Sequence, residues 1–261
     1  MQPIGLFTGE RALITGSASN IGRAIAEGLA REGAHVTLAD VDPVRNAATL
    51  AAVNAAGGQA TAVDCDLATK DGWKALVARL DGPKLGGKPF DMFVHSAAPP
   101  RKEADHAMAV SEEIFDGMLN VNVRSGFFLA REIARRMQTA GIKGRMVFIT
   151  SLHAETPRNL PHYSAGKAGQ TMLVKELARA LGPDGIRVNA LAPGAIPGGG
   201  FNAGAYDFSG KIPLGRLGNA EDLAGPALAL LTDRFSRYVT GTTLVVDGGI
   251  ALFNWITPTW G

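Results

Sequence analysis

Cysteine is almost absent from this 261-residue chain. Cys65 stands alone, which excludes an internal disulfide framework and fits a reducing cytoplasm, the expected location. No apolar run approaches the ~20 residues needed to span a bilayer. The first ten residues lack a charged segment followed by an apolar core, so neither a signal peptide nor a membrane role is expected. Neither sign of charge is in excess. The formal net charge of +2 predicts no general attraction to nucleic acid or membrane. Repeats, low-complexity tracts and linkers are also missing, and no metal site is expected. What remains is 46% hydrophobic and 19% charged, too apolar for disorder and long enough for one large domain covering 1–261.

Strand-like apolar runs alternate with helical patterns throughout. Strands are predicted at Arg11–Thr15, His35–Ala39, Ala60–Val63, Phe90–Val94, Arg145–Ile149, Ile186–Leu191 and Thr243–Val246. Helices are predicted at Ile21–Arg31, Pro43–Ala56 and Thr69–Leu80, with others filling the remaining gaps. Alternation of this kind predicts an α/β fold, with right-handed crossovers and a parallel sheet covered on both faces. The glycine-rich, weakly periodic stretch Gly194–Lys211 is expected to belong to a substrate lid at about 194–215.

The segment TGSASNIG, Thr15 to Gly22, falls between a strand and a helix, the context that separates a nucleotide turn from a chance glycine pair. Gly16 permits the turn, and Gly22 allows the first helix to come close. The N–H groups at Ser19, Asn20 and Ile21 can then face a pyrophosphate. The next strand ends in Asp40, 18 positions after Gly22. A carboxylate there accepts bonds from ribose hydroxyls and repels a 2′-phosphate, which predicts NAD rather than NADP.

The segment HYSAGK, His162 to Lys167, places Tyr163 and Lys167 four apart, on one face if helical. An ammonium beside a phenol favours the phenolate, so such a pair can act as a general base. A bare pair of this spacing is more often just the start of an amphipathic helix. Here Ser151, 12 residues earlier, follows the strand Arg145–Ile149. Ligands of parallel sheets gather at the carboxyl ends of strands, so its hydroxyl can hold a substrate oxygen beside Tyr163.

Taken with VNV around Asn122, TSLH around Ser151, IRVNALAPG and TGTTLVVDGG, these motifs make the chain resemble the short-chain dehydrogenase/reductase family over nearly its whole length. The resemblance implies a single-domain, Rossmann-like, doubly wound sheet of seven parallel strands, a nicotinamide cofactor, and a tetrad of Asn122, Ser151, Tyr163 and Lys167. In family terms Tyr163 exchanges a proton with the substrate oxygen and Ser151 hydrogen-bonds it. Lys167 binds the nicotinamide ribose and eases proton loss from the tyrosine, and Asn122 positions a water leading to solvent. Asp66 and Leu67 would meet the adenine. Ser96, Ala97 and Ala98 would pass the adenosine ribose, and Pro193, Gly194 and Ile196 would border the nicotinamide.

Three departures stand out. Asn20 replaces a glycine, His95-Ser96-Ala97-Ala98 replaces Asn-Asn-Ala-Gly, and Pro197 falls where a threonine is common. His95 is expected to be a satisfied buried histidine. The stretch SLHAE resembles bacterial glucose dehydrogenases of the family. His153, Glu155 and Arg158 near the reacting oxygen would suit an aldose or polyol. Arg101 and Lys102 are expected to be a solvated basic turn. The aromatic tail, with Trp255 as a tentative substrate contact, is expected to pack on a neighbouring subunit of a homotetramer. The leading expectation is therefore an NAD-dependent dehydrogenase of a small-molecule secondary alcohol or sugar. The alternatives are an NADPH-dependent oxoacyl-thioester or carbonyl reductase and a non-catalytic dinucleotide sensor.

Overall fold

The computed structural model describes residues 5–252 apart from 83, 84, 86, 103, 199, 200, 202, 203, 205–207 and 209. The tail with Trp255 and much of the expected lid lie outside the described residues. Seven strands, β1 (Arg11–Thr15), β2 (His35–Asp40), β3 (Gln59–Asp64), β4 (Met92–His95), β5 (Arg145–Ile149), β6 (Arg187–Pro193) and β7 (Thr243–Val246), form one sheet in the order β3-β2-β1-β4-β5-β6-β7. Every pairing is parallel. The order reverses between β1 and β4, and such a reversal opens a crevice at the carboxyl ends of the strands.

The central strands are apolar at nearly every position because both faces are covered. Side chains alternate by two. In β5, Met146 and Phe148 pack with Phe93 beneath helices α3 (Gly72–Leu80), α5 (Gly126–Ala140) and α6 (Pro161–Leu181). Val147 and Ile149 face the opposite layer, built from α1 (Asn20–Arg31), α2 (Pro43–Ala55) and α7 (Glu221–Leu231). Helix α4 (Glu112–Leu119) packs on α6, and the short α8 (Asp233–Ser236) follows α7.

Element boundaries differ from expectation for local reasons. Strand β4 starts at Met92 rather than Phe90 because the Asp91 carboxylate accepts the Arg11 N–H at 2.8 Å in place of a ladder carbonyl. Helix α3 starts at Gly72, not Thr69, with Asp71 at its N-cap position. At the amino edge of the sheet, away from the crevice, the buried Arg145 and Arg187 donate to the carbonyls of Leu231 and Leu230. They cap the last turn of α7, where cations complement the helix dipole.

Between α4 and α5 the chain widens into a π-helical turn at Asn120–Ser125, which periodicity did not predict. Two contacts hold it. Ser125 Oγ donates to the Leu67 carbonyl at 3.0 Å. The His95 Nε2 lies 3.0 Å from the Val121 carbonyl, and its Nδ1 lies 2.8 Å from Thr15 Oγ1. A carbonyl can only accept, so Nε2 carries the proton and Nδ1 accepts from the threonine hydroxyl. His95 is fully buried against Phe93 and Phe148. Burial, with the nearby Lys167 charge, pushes its pKa down to about 3. It is the satisfied core histidine expected, and it joins β1, β4 and the π-helical turn.

The unfolded chain protonates a histidine near pH 6.5, while the folded chain keeps His95 neutral to about 3. Stability is therefore undiminished above 6.5 and falls as the pH drops between those values, by about 1 kcal/mol per pH unit. The variant His95→Leu is expected to lose about 2 kcal/mol at pH 7 by stranding two buried partners. Urea titrations across this range should give it the shallower acid limb; parallel limbs would contradict this assignment.

Candidate functional site

The crevice at the switch point holds a cavity of about 340 Å³. Its first wall is the TGSASNIG turn. Gly16 has φ +72°, and a Cβ there would lie 2.5 Å from the Ala97 nitrogen. A Cβ on Gly22 would lie 2.1 Å from the Gly16 carbonyl oxygen. Only glycine lets the turn, α1 and the end of β4 meet backbone to backbone. Ser19 caps α1, accepting the Gly22 N–H at 3.1 Å and donating to the Gly16 carbonyl at 2.6 Å. The N–H groups of Asn20 and Ile21 open α1 and have no acceptor within the helix, an arrangement suited to a pyrophosphate.

Asn20 has a task of its own. Its Nδ2 donates to the Pro197 carbonyl at 3.3 Å, so two of the three departures from the family pattern touch one another. Asp40 ends β2 and turns toward the same loop, accepting the Ala18 N–H at 2.8 Å and the Asp42 N–H at 3.0 Å. A carboxylate offers about four lone-pair sites, leaving room for ribose hydroxyls. The turn, the helix start and this carboxylate together fit a dinucleotide.

The second wall comes from β5 and α6. Ser151, Tyr163 and Lys167 all line the cavity and are all nearly buried. Ser151 Oγ accepts the His153 N–H at 3.1 Å. Tyr163 and Lys167 lie on one face of α6, with the Lys167 Nζ 5.8 Å from the Tyr163 ring centre. That Nζ donates to the Ile149 carbonyl at 2.8 Å and to Gln170 Oε1 at 3.0 Å. Burial, reinforced by the Arg101 guanidinium, pushes the Lys167 pKa down to about 7. A group poised between charged and neutral near working pH is suited to proton relay. Asn122 sits behind α6. Its Nδ2 would lie 3.1 Å from a Cβ on Gly166, and both amide atoms are buried without a hydrogen-bond partner among the described residues.

Thirteen of the sequence-predicted residues line this one cavity. Ser19, Asn20 and Ile21 come from the first turn, and Ser96 and Ala98 follow β4. Ser151, His153, Arg158, Tyr163 and Lys167 come from β5, α6 and their connection. Pro193, Gly194 and Ile196 follow β6. Gly16, Gly22, Ala97, Asp40, Asp66, Leu67 and Asn122 lie outside its wall. The first three shape the backbone, and Asp40 stands at the carboxyl end of β2. Asp66 accepts the Ala68 N–H at 2.9 Å. The Leu67 side chain is buried in the core, so it offers a cofactor only its backbone. His153 Nδ1 donates to the Thr156 carbonyl at 3.0 Å, and its ring meets Tyr163 edge-on.

Two expectations need correction. Glu155 is exposed and does not reach the cavity. Arg101 is not a solvated turn residue, although Lys102 is exposed. The Arg101 guanidinium lies 4.8 Å from the Tyr163 ring centre and lines the cavity. It lies in the loop that follows β4, after Ser96 to Pro100, and that placement at the carboxyl end of the strand was the one signal of its inward position. Sequence reasoning also missed Gln170, which sits three positions after Lys167 on the same helix, and the aromatic wall of Phe201 and Phe208.

A family model described as enoyl-(acyl carrier protein) reductase matches residues 16–251. The chain is 34% identical to the L-rhamnose 1-dehydrogenase (NAD(P)(+)) of Azotobacter vinelandii, over 94% of this chain and 98% of that one. It is likewise 34% identical to glucose 1-dehydrogenase 2 of Bacillus subtilis, over 95% and 96%. Among solved structures, a short-chain type dehydrogenase/reductase from Mycobacterium marinum superposes with a TM-score of 0.85 at 31% identity, covering 94% of this chain and 96% of that one.

Proposed function

Because the chain belongs to the short-chain dehydrogenase/reductase family, we propose that it is an NAD-dependent dehydrogenase of a polyhydroxylated small molecule, oxidising a sugar or polyol hydroxyl. The observation that carries this reading is the convergence of Ser151, Tyr163 and Lys167 on one cavity next to the glycine turn. A sensor would have no use for that convergence. Relatives named for rhamnose and glucose support the substrate class.

Ser151 holds the substrate hydroxyl, and Tyr163 takes its proton. Lys167 is anchored by Ile149 and Gln170 and sets the charge beside the phenol. Asn122, whose buried amide has no hydrogen-bond partner among the described residues, holds the route by which the proton leaves. When bound, the nicotinamide supplies the two-electron acceptor. Asp40 selects NAD by accepting ribose hydroxyls and disfavouring a 2′-phosphate, which argues against the NADPH-dependent thioester reductase.

We propose further that the enzyme works as a cytoplasmic homotetramer. Among the described residues no helix is long and apolar enough to cross a membrane. The edge strand β7 exposes Leu244 and Val245, and Phe235 and Tyr238 are exposed nearby in sequence, a pattern that favours covering by another chain. A native mass of four chains is expected in solution, and a monomer would refute it.

Tyr163→Phe should lower turnover by a factor of about 10² or more, the size of a lost general base, while NADH titration shows nearly unchanged affinity. Undiminished turnover would falsify the assignment. Asp40→Ala should lower the NAD-to-NADP ratio of kcat/KM by roughly tenfold. It should also cost about 1–2 kcal/mol of stability, because the Ala18 and Asp42 N–H groups lose their acceptor. An unaltered ratio removes Asp40 from cofactor selection.

A further inference from the structure

Arg101 does not fit a pocket made for an uncharged sugar. Its guanidinium carbon lies 4.8 Å from the Tyr163 ring centre and 5.8 Å from that of Phe201. Its Nε is buried with no hydrogen-bond partner among the described residues. Arg158 approaches the same Phe201 ring at 5.2 Å, so one aromatic side chain meets both guanidinium groups. Among the described residues lining the cavity are Arg101 and Lys167, but no aspartate or glutamate.

Ring faces compensate a desolvated cation only in part, and among the described residues they leave the Nε–H of the planar fork without an acceptor. That fork matches a carboxylate. Its position also decides between anions. The pyrophosphate end of the crevice is marked by Ser19, Asn20 and Ile21, whereas Arg101 lies over the phenol that receives the proton. The positive field at that end is felt within the site, since Arg101 is the second cause, after burial, of the lowered Lys167 pKa. An anion bound there would offset the repulsion.

We propose that the substrate is a polyhydroxy carboxylate, its carboxylate bound by Arg101, while the hydroxyl to be oxidised rests on Ser151 and Tyr163. This rests on the dehydrogenase reading above and narrows its substrate class from neutral sugars to sugar acids.

The test compares matched pairs, glucose with gluconate and galactose with galactonate, using NAD and the whole protein. The acids should show kcat/KM about tenfold or more above their neutral partners, as one charge-assisted hydrogen bond allows. In R101Q the acids should lose about tenfold more than the neutral sugars, and R101K should fall between. Gluconate added to NADH-loaded protein should raise the melting temperature of the wild type and not that of R101Q. Should R101Q fail to fold, the wild-type ratios and R101K carry the same comparison. If gluconate binds in this way but nothing is oxidised, the anion site stands and the dehydrogenase reading falls. Neutral sugars preferred, an acid-to-neutral ratio unmoved in the variants, or R101Q acting on NADH affinity instead would each overturn the inference.

Discussion

A buried ammonium sets the conditions for the rest of the molecule. Lys167 is 3% exposed, and a charge taken from water is costly unless it finds fixed partners. The sheet edge provides one in the Ile149 carbonyl, and α6 provides another in Gln170. The first bond ties the helix carrying Tyr163 to the end of the strand that precedes Ser151, and the second holds the ammonium against its own helix. The relative position of the Tyr163 phenol and the Ser151 hydroxyl thus follows from how one cation is satisfied. Arg101 brings a second cation to the same ring, and the anionic substrate proposed above is the partner that would balance it.

Much of this arrangement was legible in the sequence. Strands with apolar runs were easiest: Arg11–Thr15 and Arg145–Ile149 are observed as expected, because a covered parallel sheet leaves little room for polar residues. The convergence of Ser151, Tyr163 and Lys167 followed from helical spacing and from the rule that sites lie at carboxyl ends of strands. The π-helical turn at Asn120–Ser125 was not legible, since NVNVRS has no local feature that distinguishes a wide turn from an ordinary one. Its causes are the distant His95 and Leu67. Arg101 was misread for a similar reason. Composition around Pro99 and Pro100 suggests a solvated loop, and only the third dimension shows the phenol beneath the guanidinium.

In the proposed reading Asp40 links cofactor choice to folding. The carboxylate at the end of β2 also accepts two backbone N–H groups that hold the glycine turn in shape. Recognition and local architecture draw on the same two oxygens, so neither can be altered alone. Asn20 makes a comparable connection between the opposite sides of the crevice through the Pro197 carbonyl. A position that weakens the glycine motif as a pattern has become a strut in three dimensions.

The wide turn after α4 bears on how this chain can diverge. An α-helix advances about 100° per residue, so a π turn absorbs one residue that a regular helix would not accommodate. Removing a single amino acid there would let the run return to a regular α-helix with the apolar stripe of α5 still on the sheet, but the wide turn that carries Asn122 to Gly166 and the Val121 carbonyl to His95 would be lost. A change of one residue between α4 and α5 is therefore felt at the wide turn itself rather than in the packing of the helix that follows it.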